Sequence, residues 1–337
     1  MRLTRLLPLV LCIALHAQDV HVRVSPDVKT GIEGTTEFPT IQMALDHHPF
    51  AGPGGRVFIE IAPGTYHERL NITQNHTNIA LIGTGHGPED VVITNSLNAK
   101  QAGGTFFTET VEVDGAGFEA DNVTFENSAG NTGQAVAIVV RADRAVFKHC
   151  RFLGYQDTLF ADYGRQYYVD SYIEGVIDFI FGNAAAVFDH SEIHANGPGY
   201  LTAQSRTSPD QSTGYVIVNS RVTTRPPTEL PTNGGPEGKR TGIFLGRPWR
   251  PYARVVFIRT DLPADIRTEG WNNWGKEANE KTAWFAEFAN TGPGAATSSR
   301  ANWVRRLSAK DARQFQPKVF LAGRDHWNPK AEAAKLP

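Results

Sequence analysis

Cysteine is nearly absent from this chain of 337 residues, which has only Cys12 and Cys150. Cys12 falls in a segment read below as a removable leader, so Cys150 is left without a partner and no intramolecular disulfide can form. A lone cysteine in an apolar run is ordinarily a core residue. An excess of positive charge is also lacking. Once Arg2 and Arg5 are removed from the 33 basic residues, the 35 acidic ones outnumber the rest by four. No broad basic field then exists for nucleic acid or an anionic membrane, and a charged substrate needs a local cation. Nor is any apolar run long enough to span a bilayer: Leu6 to Leu15 is well short of the roughly 20 residues required.

That run follows Arg2 and Arg5 and closes with His16-Ala17 before the polar Gln18-Asp19. A basic start, a short apolar core and a small residue at the exit read as a secretory signal peptide, residues 1–17, cut after Ala17. Leu11 is larger than the small residue a lipidated Cys12 would need before it. The mature protein is therefore expected to be secreted or periplasmic, without membrane attachment.

About 320 mature residues fit one large domain or two. No long Pro/Ser linker or charge block divides them, so residues 18–337 read as a single domain. Pro39-Thr40-Ile41-Gln42-Met43-Ala44-Leu45 predicts a short helix with Pro in its first turn, placed to cap one end of a stack. From Arg56 onward helical periodicity vanishes. Short β-rich runs such as Val57 to Ile61, Ile79 to Ile82 and Val91 to Ile93 alternate with Gly, Asn, Asp and Pro. Gly83-Thr84-Gly85-His86-Gly87 precedes no helical pattern and reads as a turn, not a phosphate loop.

A repeat then emerges, in which an apolar residue is followed by a small or polar one three positions on, then by an apolar one two later. It fits Phe147-Cys150-Phe152, Tyr168-Ser171-Ile173, Phe188-Ser191-Ile193, Ile217-Ser220-Val222 and Phe257-Thr260-Leu262, and in its first half Phe125-Ser128. Starts at 125, 147, 168, 188, 217 and 257 give steps of 22, 21, 20, 29 and 40 residues. Units of this size with strands and turns but no helix predict an all-β parallel β-helix, a solenoid; a β-sandwich would show strand spacing nearer ten residues. The stretch Thr223 to Lys239, with four Pro and three Gly, reads as a long loop walling a cleft.

Two carboxylates share the repeat. Asp157 and Asp178 are 21 residues apart, and Gln134 lies 22 before Gln156. One rung of about 4.8 Å per step would put all four in one column facing one substrate atom. Gln156 and Asp157 are adjacent, so both reach one site only where the backbone turns or bulges, which Gly154 would permit. Leu245-Gly246-Arg247-Pro248-Trp249 supplies a cation and a large ring, and an Arg near Asp178 would keep it ionised while its charge holds Asp157 protonated. The plainer readings are turn carboxylates, a satisfied core amide and a packing Trp.

Taken together, Gly64-Thr65-Tyr66-His67-Glu68, Gln134 to Ile138, Gly154 to Leu159, Asp178 to Gly182 and Leu245 to Trp249 resemble the ordered signature motifs of pectin methylesterases (pectinesterases). The likeness runs from about Glu37 to Trp303, through Gln204-Ser205-Arg206-Thr207 and Gly270-Trp271-Asn272-Asn273-Trp274. It implies a right-handed parallel β-helix with long loops flanking a cleft, acting on methyl esters at C6 of galacturonate in homogalacturonan. It also implies Asp178 as nucleophile, Asp157 as general acid then base, Gln134 and Gln156 as oxyanion donors and Arg247 as the partner of Asp178. Thr105 and Trp249 are implied as substrate contacts, with Tyr155 and Phe181 as further rings for sugar faces. No metal or organic cofactor follows, and the protein is expected to act as a monomer on methylesterified pectin, with no nucleic-acid partner. Phe285-Ala286-Glu287-Phe288 stands where the family often has tyrosines. The rival readings are another pectin-active β-helix enzyme, a lyase or a glycosidase, and a catalytically silent polysaccharide-binding protein.

Overall fold

A computed structural model of the chain describes residues 18–28, 36–225 and 242–337. Its strands are short, parallel and stacked in successive turns of a parallel β-helix. One sheet of twelve strands runs from Glu37–Phe38 and Val20–Val24 at one end to Arg305–Arg306 at the other. The other strands form two further faces, bridged where Tyr172–Gly182 and Glu192–Gln204 bend from one face to the next. The expected leader, residues 1–17, and most of the Thr223 to Lys239 loop lie outside the described residues.

In-register pairing explains the repeat. Phe147, Tyr168, Phe188, Ile217 and Phe257 are successive Cα partners. Their side chains fill the interior, with Phe147 and Tyr168 rings 4.9 Å apart and Tyr168 and Phe188 rings 4.7 Å apart, nearly parallel. The small residue three positions on has a hydrogen-bonding task. The backbone N–H of Cys150 donates to Ser171 Oγ, that of Ser171 to Ser191 Oγ, and that of Ser191 to Ser220 Oγ. Each serine hydroxyl donates in turn to the carbonyl two residues back. Groups that the turn would otherwise leave unpaired inside the solenoid are thereby satisfied. The preceding residue at each turn, among them Asn122, His149, Asp170, His190 and Asn219, holds a left-handed φ between 48° and 60°. Cys150 is buried, as a core residue.

Two expectations need correction. Phe125 does not start a rung: it pairs with Phe152, and the true partner of Phe147 is Ala120. The rung is therefore Ala120, Val123, Phe125, which the small Ala120 concealed. The N-terminal helix, Ile41–His47, begins after Pro39, with Thr40 as its cap accepting from the Met43 N–H. Glu68 accepts from the N–H groups of Ile41 and Gln42, seating the helix against the first strands. At the far end of the chain, Ala312, Phe315, Leu321, Trp327, Ala333 and Leu336 cover the outer side of the twelve-stranded sheet.

Because Phe188 stacks on Tyr168 and meets Tyr215 edge-on, Phe188→Ala should cost about 3 to 5 kcal/mol of stability. Urea denaturation measures this, and a loss below about 1 kcal/mol would show that the aromatic column does not hold the rungs together.

Candidate active site

Parallel pairing also builds the site. Gln134 pairs with Gln156, and Gln156 with Ile177. The aspartates come one residue later in their rungs, so the four side chains occupy two adjoining columns, amides in one and carboxylates in the next, rather than the single column expected. The turn that brings Gln156 and Asp157 to one side is on the aspartates themselves: Asp157 has φ 65° and Asp178 φ 51°. Asp is among the few residues that tolerate this left-handed region, which breaks the in-and-out alternation of a strand. Gly154, expected to supply the bulge, serves close packing instead. A Cβ there would meet Thr158 Oγ1 at 2.6 Å.

A cavity of about 350 Å³ is lined by Thr105, Phe106, Gln134, Gln156, Asp157, Asp178, Phe181, Ala203, Arg247, Trp249 and Trp274. Arg247 grips Asp178 with a two-handed fork, Nε to Oδ1 at 2.8 Å and Nη2 to Oδ2 at 2.6 Å. The amides of Gln134 and Gln156 and the carboxyl of Asp157 have no hydrogen-bond partner among the described residues. Two free amides beside a carboxylate leave donors available for a ligand.

Burial pushes the Asp157 carboxyl up to about 8, helped by the charge of Asp178 and opposed by that of Arg247. Burial also raises Asp178, against the opposing hydrogen bonds and charge of Arg247. The asymmetry follows from the partners. A direct cationic donor favours the ionised form of Asp178, whereas Asp157 gets only a distant share of that cation. Two neighbouring carboxyls are thus pushed apart, one disposed to hold a proton and one to lose it.

Aromatic rings wall the cavity. Phe160 and Phe181 stack at 4.4 Å, with Trp249 against both, and Phe106 reaches across to Phe160 and Trp249. The guanidinium of Arg247 lies 3.8 Å from the ring centres of both Tyr200 and Trp274. Phe106, Trp274 and Tyr200 had no role in the sequence reading. Trp274 was findable, since Asn-Asn before Trp-Gly is turn chemistry; the Trp274 N–H donates to Asn272 Oδ1 and its φ is 62°. Tyr155, in contrast, does not line the cavity. It stands at a bend one residue before Gln156, its backbone carbonyl accepting from the Val176 N–H.

A larger hollow of about 940 Å³ runs along another edge of the solenoid, at His149, Asp170, His190 and Asn219. Several of its titratable groups are already paired: His149 with Asp121, His190 with Asp189, Arg221 with Glu192. Chemistry and not size singles out the smaller cavity. Among the described residues no group of three or more His, Cys, Asp or Glu side chains is arranged to hold a metal ion, and no helix is long and apolar enough to cross a membrane.

A family model described as Pectinesterase matches residues 27–324. Pectinesterase 31 of Arabidopsis thaliana is 41% identical over 311 residues, which cover 89% of this chain and 92% of that protein. A solved structure described as pectin methylesterase from carrot has a TM-score of 0.83 at 35% identity, covering 94% of this chain and 97% of that one. A structure described as a pectin methylesterase in complex with a hexasaccharide has a TM-score of 0.73 at 27% identity, covering 93% and 99%. The chain spans about half the length of several longer curated relatives.

The raised Asp157 carboxyl has a consequence for stability. Between its ordinary value of 3.8 and about 8, the folded chain keeps a proton that the unfolded chain has lost. Stability therefore falls as pH rises through this window. Asp157→Asn cannot ionise, so its melting temperature should exceed that of the parent by a margin that widens from about pH 5 to about pH 8. A constant margin across these pH values would contradict a carboxyl held protonated by burial.

Proposed function

The chain belongs to the pectinesterase family, and from that premise we propose that Asp178 is the nucleophile and Asp157 the general acid, then base, of a two-step ester hydrolysis. The reaction itself is the demethylesterification of pectin: methyl esters on C6 of galacturonate units are cleaved to methanol and a free carboxylate. The observation that carries the residue assignment is the fork from Arg247 to Asp178 beside the unpartnered, raised Asp157.

In the first step an Asp178 oxygen attacks the C6 carbonyl carbon, and the carbonyl electrons move onto oxygen. The free amides of Gln134 and Gln156 donate to that oxyanion. As the intermediate collapses, the bond from C6 to the methoxy oxygen breaks and Asp157 gives that oxygen its proton, releasing methanol. An anhydride between Asp178 and the substrate remains. Asp157, now a carboxylate, takes a proton from water, whose oxygen attacks C6. Collapse frees the Asp178 carboxylate and the galacturonate carboxyl, and leaves Asp157 protonated for the next cycle. Phe106, Phe181, Trp249 and Trp274 offer faces for sugar rings, and Thr105 a hydroxyl at the rim.

The broader setting follows the same reading. A leader cut after Ala17, export, and one domain from 18 to 337 acting as a monomer suit an enzyme that meets its polymer outside the cell. Methanol release from methylated pectin, with neither new reducing ends nor unsaturated products, tests this against a glycosidase, a lyase and a silent binding protein. Chain cleavage, or no methanol, would reject it.

Two variants test the roles. Asp178→Asn should abolish turnover while pectin is still bound, since an amide of similar shape is a poor nucleophile; Gln134→Ala should lower kcat by about 10²- to 10³-fold. Turnover of Asp178→Asn at the parental rate, with deamidation excluded by mass spectrometry, would displace Asp178 from its role.

Arg247→Met tests the electrostatics. With the cation gone, the Asp178 carboxyl rises further, so more alkali is needed to ionise it and the acidic limb of the kcat profile moves to higher pH. Lys should restore the limb only in part, because a point charge lacks the planar fork. An unmoved limb with a raised KM would make Arg247 a substrate clamp.

A further inference from the structure

The column that carries Gln134 and Gln156 continues beyond Ile177. Ile177 pairs with Tyr200 and Tyr200 with Phe244, and the bridge from Ile243 to Ile266 sets Arg267 on the next rung. Their side chains stack outside the solenoid. Tyr200 and Phe244 rings are 5.3 Å apart and 9° from parallel, and the Arg267 guanidinium is 5.0 Å from the Phe244 centre. Arg247 is packed onto this column through Tyr200, with Trp274 on it as well, at 3.8 Å in both cases.

A two-handed fork works only if the guanidinium plane is held to that of the carboxylate, and an arginine side chain has many other rotamers. Rings can impose the plane without competing for the N–H donors. A carboxylate in their place would take those donors and cancel the charge felt by Asp178. Tyr200 suits this task because it does not line the cavity. Its hydroxyl has no hydrogen-bond partner among the described residues, so the ring is the part in use.

We propose that Tyr200 and Trp274 are positioning residues whose rings clamp the Arg247 guanidinium in the plane of the Asp178 carboxylate, so that a stacked column outside the cavity sets the aim of the nucleophile. This rests on the assignment of Asp178 and Arg247 above. The charged groups facing one another here are Asp178, Arg247 and Asp157; Arg267 stands two rings away. Trp274 also lines the cavity, so Tyr200 isolates the clamp from substrate contact.

The experiment is a set of kcat and KM profiles against pH on methylated oligogalacturonate. It compares the parent with Tyr200→Phe, Tyr200→Leu, Tyr200→Met, Arg247→Met and the Tyr200→Leu/Arg247→Met double variant. Phe keeps the ring and should match the parent. Leu and Met should lower kcat by roughly 3- to 30-fold, as losing one ring from a partly desolvated guanidinium would, with KM near the parental value. Met repeats the test if Leu does not fold. The acidic limb should move to higher pH in both, and Tyr200→Leu should cause no further loss once Arg247 is Met. If Arg247→Met shifts the limb but Tyr200→Leu and Tyr200→Met leave kcat and limb in place, or if the two losses multiply in the double variant, the clamp is overturned and the Arg247 assignment stands. If Arg247→Met itself has the parental profile, the underlying assignment falls and the clamp with it.

Discussion

Parallel, in-register pairing governs this molecule. Each rung must present the same hydrogen-bonding edge to the next, so residues at one position of the rung lie above one another for the length of the solenoid. Inside, this yields the apolar run from Phe147 to Phe257, aromatic at all but Ile217, and the hydroxyl ladder from Ser171 to Ser220. Outside, it stacks polar groups that line the cavity. A site made this way needs no distant elements to converge: Gln134 and Gln156 are adjacent because their strands are.

The same constraint creates the electrostatic problem that the site uses. Carboxyls on consecutive rungs, both largely out of water, cannot both ionise cheaply. Arg247 resolves the conflict on one side only, by binding Asp178 through both oxygens. Asp157 is left without a cationic donor of its own, and burial pushes its carboxyl up to about 8. The arrangement opposes stability, since burial penalises both carboxylates.

Much of this could be read from the sequence, for reasons that differ by residue. The rungs from Phe147 to Phe257 were legible because their apolar, small and apolar positions face the interior, where chemistry is restricted. The rung before them was misread: Ala120 is too ordinary a residue to mark a start, and Phe125 imitated one. The paired Asp and Gln spacing was legible, but not the division into two columns, which depends on backbone turns at the aspartates. Arg247 is 69 residues beyond Asp178, across connections of unequal length, so motif likeness and not spacing brought the two together. Tyr155, although beside Gln156 in the sequence, does not line the cavity, because in a bent segment adjacency does not fix which way a ring faces. Tyr200 stayed hidden because its role depends on what stacks on it.

Connections longer than those between the strands of the regular rungs explain where the rest of the cleft comes from. A regular rung of about 20 residues is consumed by three short strands and their turns, so it can supply a floor but no walls. The floor residues Gln156, Asp157, Asp178 and Phe181 come from such rungs. The walls come from longer connections: Phe106 from the segment between Asn95 and Val111, Trp249 from that between Gly246 and Arg254, Trp274 from that before the helix Ala278–Thr282. Lengthening a connection leaves the register of the core untouched, since loop closure grows costly only slowly with length. The carboxyls and amides of the floor therefore sit on the part of the rung that cannot vary without losing register. The rings of the walls lie on the part that can.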